Sequence, residues 1–147
     1  MTDLADFTRL ADRDRNLCTV STLRGDGTIQ STLVNAGVLK HPLTGADVVG
    51  TVVFGASRKL VNLRAHPRMT VLARASWNWA AVEGPVWIAG PDDPAAGVDP
   101  ERLRLLLREV FAAAGGTHDD WDEYDRVMAA ERRTVLLVTP ERVYGNS

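Results

Sequence analysis

Val48-Val49-Gly50-Thr51-Val52-Val53-Phe54, then Gly55-Ala56-Ser57-Arg58-Lys59-Leu60-Val61-Asn62-Leu63-Arg64-Ala65-His66-Pro67, then Met69–Ala75 is the stretch that decides how this chain folds. Val48–Phe54 is so rich in β-branched and apolar residues that it reads as a strand buried on both faces. Gly55 ends it. Lys59 to Ala65 reads as a short helix, with Ser57 as its cap and Leu60 and Leu63 on the core face. His66-Pro67 stops it, because proline lacks the amide proton and disfavours helix in the residue before it. Met69–Ala75 resumes as a strand.

One detail in this stretch breaks a local rule. The first turn of a helix exposes unpaired N–H groups and the positive end of the macrodipole, where anions are favoured and cations are disfavoured. Here that turn carries Arg58 and Lys59, and lysine occurs elsewhere only at Lys40. Backbone N–H groups, a serine hydroxyl and two cations converging on one point would hold a phosphate. The alternative is that both cations project into water, which needs no partner.

Outward from this stretch, Asp6–Arg13 has Phe7, Leu10 and Ala11 at helical spacing, with an end near Asn16. Leu17–Arg24, the turn Gly25-Asp26-Gly27 and the return strand Thr28–Leu39 form an antiparallel hairpin signal. Trp79–Ile88 is a further strand in which Gly84-Pro85 predicts a bulge or an edge. Gly90–Pro100 is a loop, and Leu103, Leu106, Leu107 and Val110 mark a helix that runs to Gly115-Gly116. A second helix starts around Thr117–Asp119, with Asp119, Asp120, Asp122 and Glu123 at the favourable dipole end and Trp121, Tyr124, Val127 and Met128 on one face. Thr134–Val138 is a strand, and Arg142–Tyr144 extends the sheet. Six or seven strands, hairpin linkage and few long helices between them predict a small antiparallel barrel with peripheral helices, in one domain over residues 1–147.

Composition limits the function classes. A net charge of -2 is too neutral for bulk attraction to nucleic acid or a membrane surface, so any anion binding is local. The single Cys18 excludes an internal disulfide framework and points to a cytoplasmic setting, where it reads as a buried small hydrophobe. No signal peptide is expected at Met1–Leu10, and no apolar run approaches the roughly 20 residues that span a bilayer. His41, His66 and His118 sit in separate turn or cap positions without metal-ligand spacing, so no metal site is expected. Ser57 lacks a nucleophile elbow, and Asp92-Asp93 and Asp119-Asp120 are adjacent pairs whose side chains diverge, so no catalytic group is identified. Nor is there a dinucleotide fingerprint or a Walker loop. Trp77 and Trp79, read as a strand pair sharing a face, fit either core or interface packing or a cleft for a planar ligand. Asn35 in an apolar strand requires a partner if buried, and a cofactor ring or the backbone would serve equally.

The order Phe54-Gly55-Ala56-Ser57-Arg58-Lys59-Leu60-Val61-Asn62-Leu63, then His66-Pro67-Arg68-Met69-Thr70-Val71, resembles the signature of the pyridoxamine 5′-phosphate oxidase superfamily, the split β-barrel flavoproteins. Trp77 through Val82-Glu83-Gly84, the segment His118–Tyr124, and the ending Arg132-Arg133-Thr134-Val135-Leu136 to Arg142-Val143-Tyr144-Gly145 resemble its actinobacterial branch, which uses the deazaflavin coenzyme F420 in place of FMN. The resemblance implies an antiparallel split β-barrel that forms a homodimer with cofactor sites at the subunit interface. It implies that Ser57, Arg58 and Lys59 take the cofactor phosphate, that Asn62 on the same helix is a cofactor-binding candidate that faces the phosphate or else caps a loop, and that Asn35, Trp77 and Trp79 sit near the ring system. True pyridoxamine phosphate oxidases end in an Arg-rich substrate-phosphate segment; this sequence ends Tyr144-Gly145-Asn146-Ser147, which argues against that substrate. The expected activity is hydride transfer from reduced deazaflavin to a conjugated small molecule such as an enone, a quinone or a tetrapyrrole. The alternatives are an FMN-dependent oxidase or reductase, and a non-catalytic protein that binds flavin, deazaflavin or haem.

Overall fold

The computed structural model describes residues 1–146; Ser147, the last residue of the terminal stretch weighed above, lies outside the described residues. Helix α1 (Leu4–Arg13) opens on a reciprocal capping box between Asp3 and Asp6, and it buries Phe7, Leu10 and Ala11. Strands β1 (Leu17–Leu23) and β2 (Ile29–Asn35) pair antiparallel around the predicted turn, from Leu17 opposite Asn35 to Leu23 opposite Ile29.

The predicted return strand to Leu39 breaks at Ala36. Strand β3 (Gly37–Lys40) leaves β1 and pairs instead with β4 (Asp47–Val53). Ala36 N–H donates to the Asn16 carbonyl, and a Cβ on Gly37 would lie 1.9 Å from the Ala113 carbonyl oxygen. The close approach of a later helix therefore decides a break that residue propensity does not reveal. Helix α2 (Arg58–Ala65), β5 (Arg68–Ala75) and β6 (Asn78–Ala89) follow. At Gly84-Pro85 the pairing of β6 with β5 runs on in step to Pro85 opposite Arg68, and from Val86 onward β6 pairs with β7 (Thr134–Val138). The predicted bulge is a change of partner, a barrel corner where Gly84 lets the Thr139 carbonyl approach. Between β6 and β7 lie α3 (Pro100–Ala113) and α4 (Trp121–Ala130), and β8 (Arg142–Gly145) adds to β6.

Eight strands, two more than the lower count expected, form an antiparallel sheet in the order β2-β1-β5-β6-β7-β4-β3, with β8 off this path. It curls into a split barrel, the predicted fold class. Because β4 and β7 are covered on both faces, alternate residues serve two cores. Val49, Val53, Leu136 and Val138 pack inside the barrel with Phe7, Leu60 and Leu63. Val48, Val135 and Leu137 face outward and are roofed by Leu106, Val110 and Tyr124 from α3 and α4. No helix of the described residues is long and apolar enough to cross a membrane.

Candidate functional site

Where β4 runs out into α2, a cavity of about 560 Å³ opens between the end of β2, the start of α2 and the α3–α4 roof. Ser57 caps α2 by position, but its side chain makes no capping bond, and no acidic residue stands in the first turn. Its hydroxyl instead accepts a hydrogen bond from the Lys59 ammonium at 3.2 Å. Burial lowers the Lys59 pKa below the ordinary lysine value, and among the described residues no carboxylate pairs with it. A half-buried ammonium without a counter-charge is costly to keep charged, and an incoming anion relieves that cost.

Two arginines that sequence reasoning did not place at the site complete its charge. Arg15 and Arg133 line the same cavity as Lys59, and no Asp or Glu does. Arg133 lies over the Phe54 ring, its guanidinium carbon 3.5 Å from the ring centroid, and its Nε donates to Glu131 at 2.9 Å. Arg15 has a φ of 56° and is followed by Asn16 at 60°. Two successive left-handed non-glycine residues cost backbone energy, which tertiary bonds offset here. Asn16 Nδ2 donates to the Ala36 carbonyl, and Asn35 Nδ2 donates to the Arg15 carbonyl, both at 3.0 Å. That local geometry, invisible in residue types, brings Arg15 to the cavity. Phe54, Phe111 and Tyr124 supply aromatic wall. Burial pushes the Tyr124 phenol up to about 12, so it stays neutral and donates to the Leu107 carbonyl at 2.9 Å.

Of the predicted site residues, Asn35, Ser57 and Lys59 meet in this cavity. Arg58 begins α2 but is exposed and does not line it. Asn62 points into the protein, 3% exposed, and its amide donates to Thr22 Oγ1 at 3.1 Å and to Gln30 Oε1 at 2.9 Å. The tryptophans do not share a strand face. Trp77 sits in the turn between β5 and β6, 89% exposed, beside Ser76 with its φ of 56°. Trp79 lies on β6 edge-on to Tyr144, and both tryptophans border a separate shallow hollow with Leu72 and Arg74. Asn35, expected mid-strand, ends β2 and is exposed, with its amide on backbone. Asp92 and Asp93, the adjacent pair whose side chains diverge, each grip an arginine: Arg132 with Asp92 and Arg64 with Asp93, both at 2.8 Å through Nε. Among the described residues no group of three or more His, Cys, Asp or Glu side chains is placed to hold a metal ion.

Comparison with solved structures shows the same split-barrel fold in pyridoxamine 5′-phosphate oxidase-related proteins. No protein-family model matches the chain. A conserved hypothetical protein of Mycobacterium tuberculosis, Rv2991, superposes with a TM-score of 0.65 at 21% identity, covering 93% of this chain and 81% of that one. A structure described as an F420 reductase gives 0.61 at 16% identity, over 94% and 95% of the two chains. A pyridoxamine 5′-phosphate oxidase-related, FMN-binding protein of Nostoc punctiforme gives 0.63 at 12%, over 93% and 80%. At these identities the likeness establishes the fold.

Proposed function

We propose that this protein is an oxidoreductase that binds the deazaflavin F420 and reduces a conjugated small molecule. The observation that carries this reading is the cavity that Lys59, Arg15 and Arg133 line and no Asp or Glu does, with only Arg133 of the three in an ion pair, to Glu131, in a chain of net charge -2. Such a wall selects an anionic ligand, and the neighbouring Phe54, Phe111 and Tyr124 rings suit a planar one. A volume near 560 Å³ lies within the range of small-molecule and cofactor sites. Ser57 and Lys59 would hold the phosphate, with Arg58 approaching from the exposed side. Arg15 and Arg133 would meet further negative charge on an extended tail, which favours a polyanionic deazaflavin over FMN with its one phosphate. When bound, such a cofactor supplies a hydride to an electron-poor double bond, and solvent supplies the matching proton. The chain contributes orientation and exclusion of water by the aromatic wall.

The second subunit belongs to the same proposal. Leu23, Ile29 and Leu33 stand 43%, 65% and 65% exposed on one outer face of the β1–β2 pair, an apolar surface suited to a second copy. In a homodimer the exposed Trp77 of one subunit could cover the other's cavity, which the single chain leaves open. The absence of a disulfide framework around Cys18 supports a cytoplasmic setting.

Fluorescence titration with F420 and with FMN tests the cofactor, followed by steady-state reduction of enones, quinones and biliverdin. Tighter F420 binding that weakens at least tenfold in Lys59→Ala, with turnover of one acceptor, is expected. Tighter FMN binding would replace the deazaflavin reading. Saturable binding without turnover of any acceptor would leave a carrier or sensor of the cofactor.

A further inference from the structure

A second cavity of about 500 Å³ lies behind the first, under the Gly90–Pro100 loop and between α3 and α4. The two share Met128 and Arg133 as a common wall, yet their chemistry differs. The first carries cations alone. The second balances Arg104 and Arg133 against Asp99 and Asp125, and the rest of its lining is Gly, Ala, Pro, Val, Leu and Met.

Its acids and cations are already engaged with the protein. Arg104 and Arg108 both donate to Asp125, Arg104 also pairs with Glu101, and Asp99 accepts from the Arg102 amide at the start of α3. Arg133 donates to Glu131 through Nε, so each charged side chain of this lining has a partner within the protein. The loop that forms the outer wall is also anchored to the rest of the fold. Asp93 is gripped by Arg64 on α2, Asp92 by Arg132 after α4, and Gly90 and Asp93 bond each other's backbone at 3.1 Å. Proline at 91, 94 and 100 removes much of the remaining backbone freedom. At the loop's base, a Cβ on Gly90 would lie 2.3 Å from Thr134 Oγ1, so the segment is seated directly on β7. Two bidentate ion pairs thus anchor the start of the loop that covers this cavity. A cavity under an anchored loop, charge-balanced and apolar, is a preformed site for an uncharged molecule.

We propose that this cavity is a second binding site, distinct from the anion-attracting cleft, for a neutral and largely apolar small molecule of ring-system size. Its apolar lining includes the buried Ala89 and Leu107, Leu103 and Met128 from the two helices, and Ala95 and Val98 from the loop. The site stands on its own lining and does not require the deazaflavin reading.

The test uses the whole protein and the neutral aromatic amine N-phenyl-1-naphthylamine in equilibrium dialysis. Ala129→Trp on α4 and Ala95→Trp on the loop fill the cavity from opposite walls, with thermal melts to check that each variant folds. Saturable binding that weakens at least tenfold in either folded variant, but is unchanged in Ile29→Asp on the exposed sheet face and in the presence of excess FMN, is the expected result. Absence of saturable binding, binding indifferent to both tryptophans, loss in Ile29→Asp, or displacement by FMN would each overturn the proposal. The last two would move the probe to the sheet face or to the first cavity.

Discussion

The Lys59 ammonium donates to the Ser57 hydroxyl at 3.2 Å across the first turn of α2, and among the described residues it has no carboxylate partner. A turn that ordinarily favours acids thus presents a cation and a hydroxyl to a cleft. Two opposite pH dependences result. Burial depresses the folded-state pKa of Lys59, so between that value and the ordinary lysine value the unfolded chain binds more protons than the folded one. Stability of the free protein should therefore rise with pH through that window. Anion affinity should fall through the same window as the ammonium deprotonates. Denaturant unfolding and inorganic phosphate titration across alkaline pH, in the wild type and in Lys59→Met, check both; the variant should lose this part of each dependence.

The stacking of Arg133 on Phe54 predicts a measurable pairwise coupling. A cation over an aromatic face contributes about 0.5–2 kcal/mol depending on its exposure, and Arg133 is 21% exposed. A double-mutant cycle with Phe54→Ala and Arg133→Ala, read by denaturant unfolding, should return a coupling energy of about 0.5–1 kcal/mol. Arg133→Lys should recover little of it, because an ammonium lacks the flat guanidinium face.

Asn62 should govern stability rather than anion binding. Asn62→Ala leaves Thr22 and Gln30 without their amide donor inside the protein, which costs about 1–3 kcal/mol in chemical denaturation. Phosphate affinity, measured by calorimetry, should stay at the wild-type value, because the side chain does not line the cleft.

At the barrel corner, Gly84→Ala should destabilise the fold strongly. The added Cβ would stand 1.9 Å from the Thr139 carbonyl oxygen, a backbone atom that cannot swing away. A loss of about 1–3 kcal/mol or more is expected in thermal or denaturant unfolding.

Cys18 should be inert in the native protein. It is 1% exposed, and burial pushes its thiol up to about 12. An aromatic disulfide reagent at neutral pH should label it only as fast as the protein unfolds, and labelling should become immediate in denaturant.

Sequence alone was enough for the strand–helix–strand core of the molecule. Val48–Val53 is apolar on both faces, Pro67 follows the end of α2, and Leu60 and Leu63 lie on its buried side, all consequences of local pattern. The cation-lined cleft was half legible for the same reason, since Ser57 and Lys59 are near neighbours in the chain. Where the sequence misled, a distant backbone was responsible. The return strand breaks at Ala36 because α3 passes over Gly37, and β6 changes partner at Gly84-Pro85 because the segment after β7 crosses it. The Trp77-Asn78-Trp79 alternation looks like one strand face, but Ser76 in the left-handed region turns the chain there and sends Trp77 outward.

What only the tertiary structure decided is which charges face each other. Arg15 and Lys59 lie far apart along the chain, and nothing in residue type separates Arg15 from arginines such as Arg133, Arg132 or Arg64, which are engaged by Glu131, Asp92 and Asp93. Periodicity reports burial along one segment, because burial is a property of a face. Whether a cation has a partner depends on segments brought together by folding, so the unopposed charge that defines the cleft becomes visible only when the barrel closes.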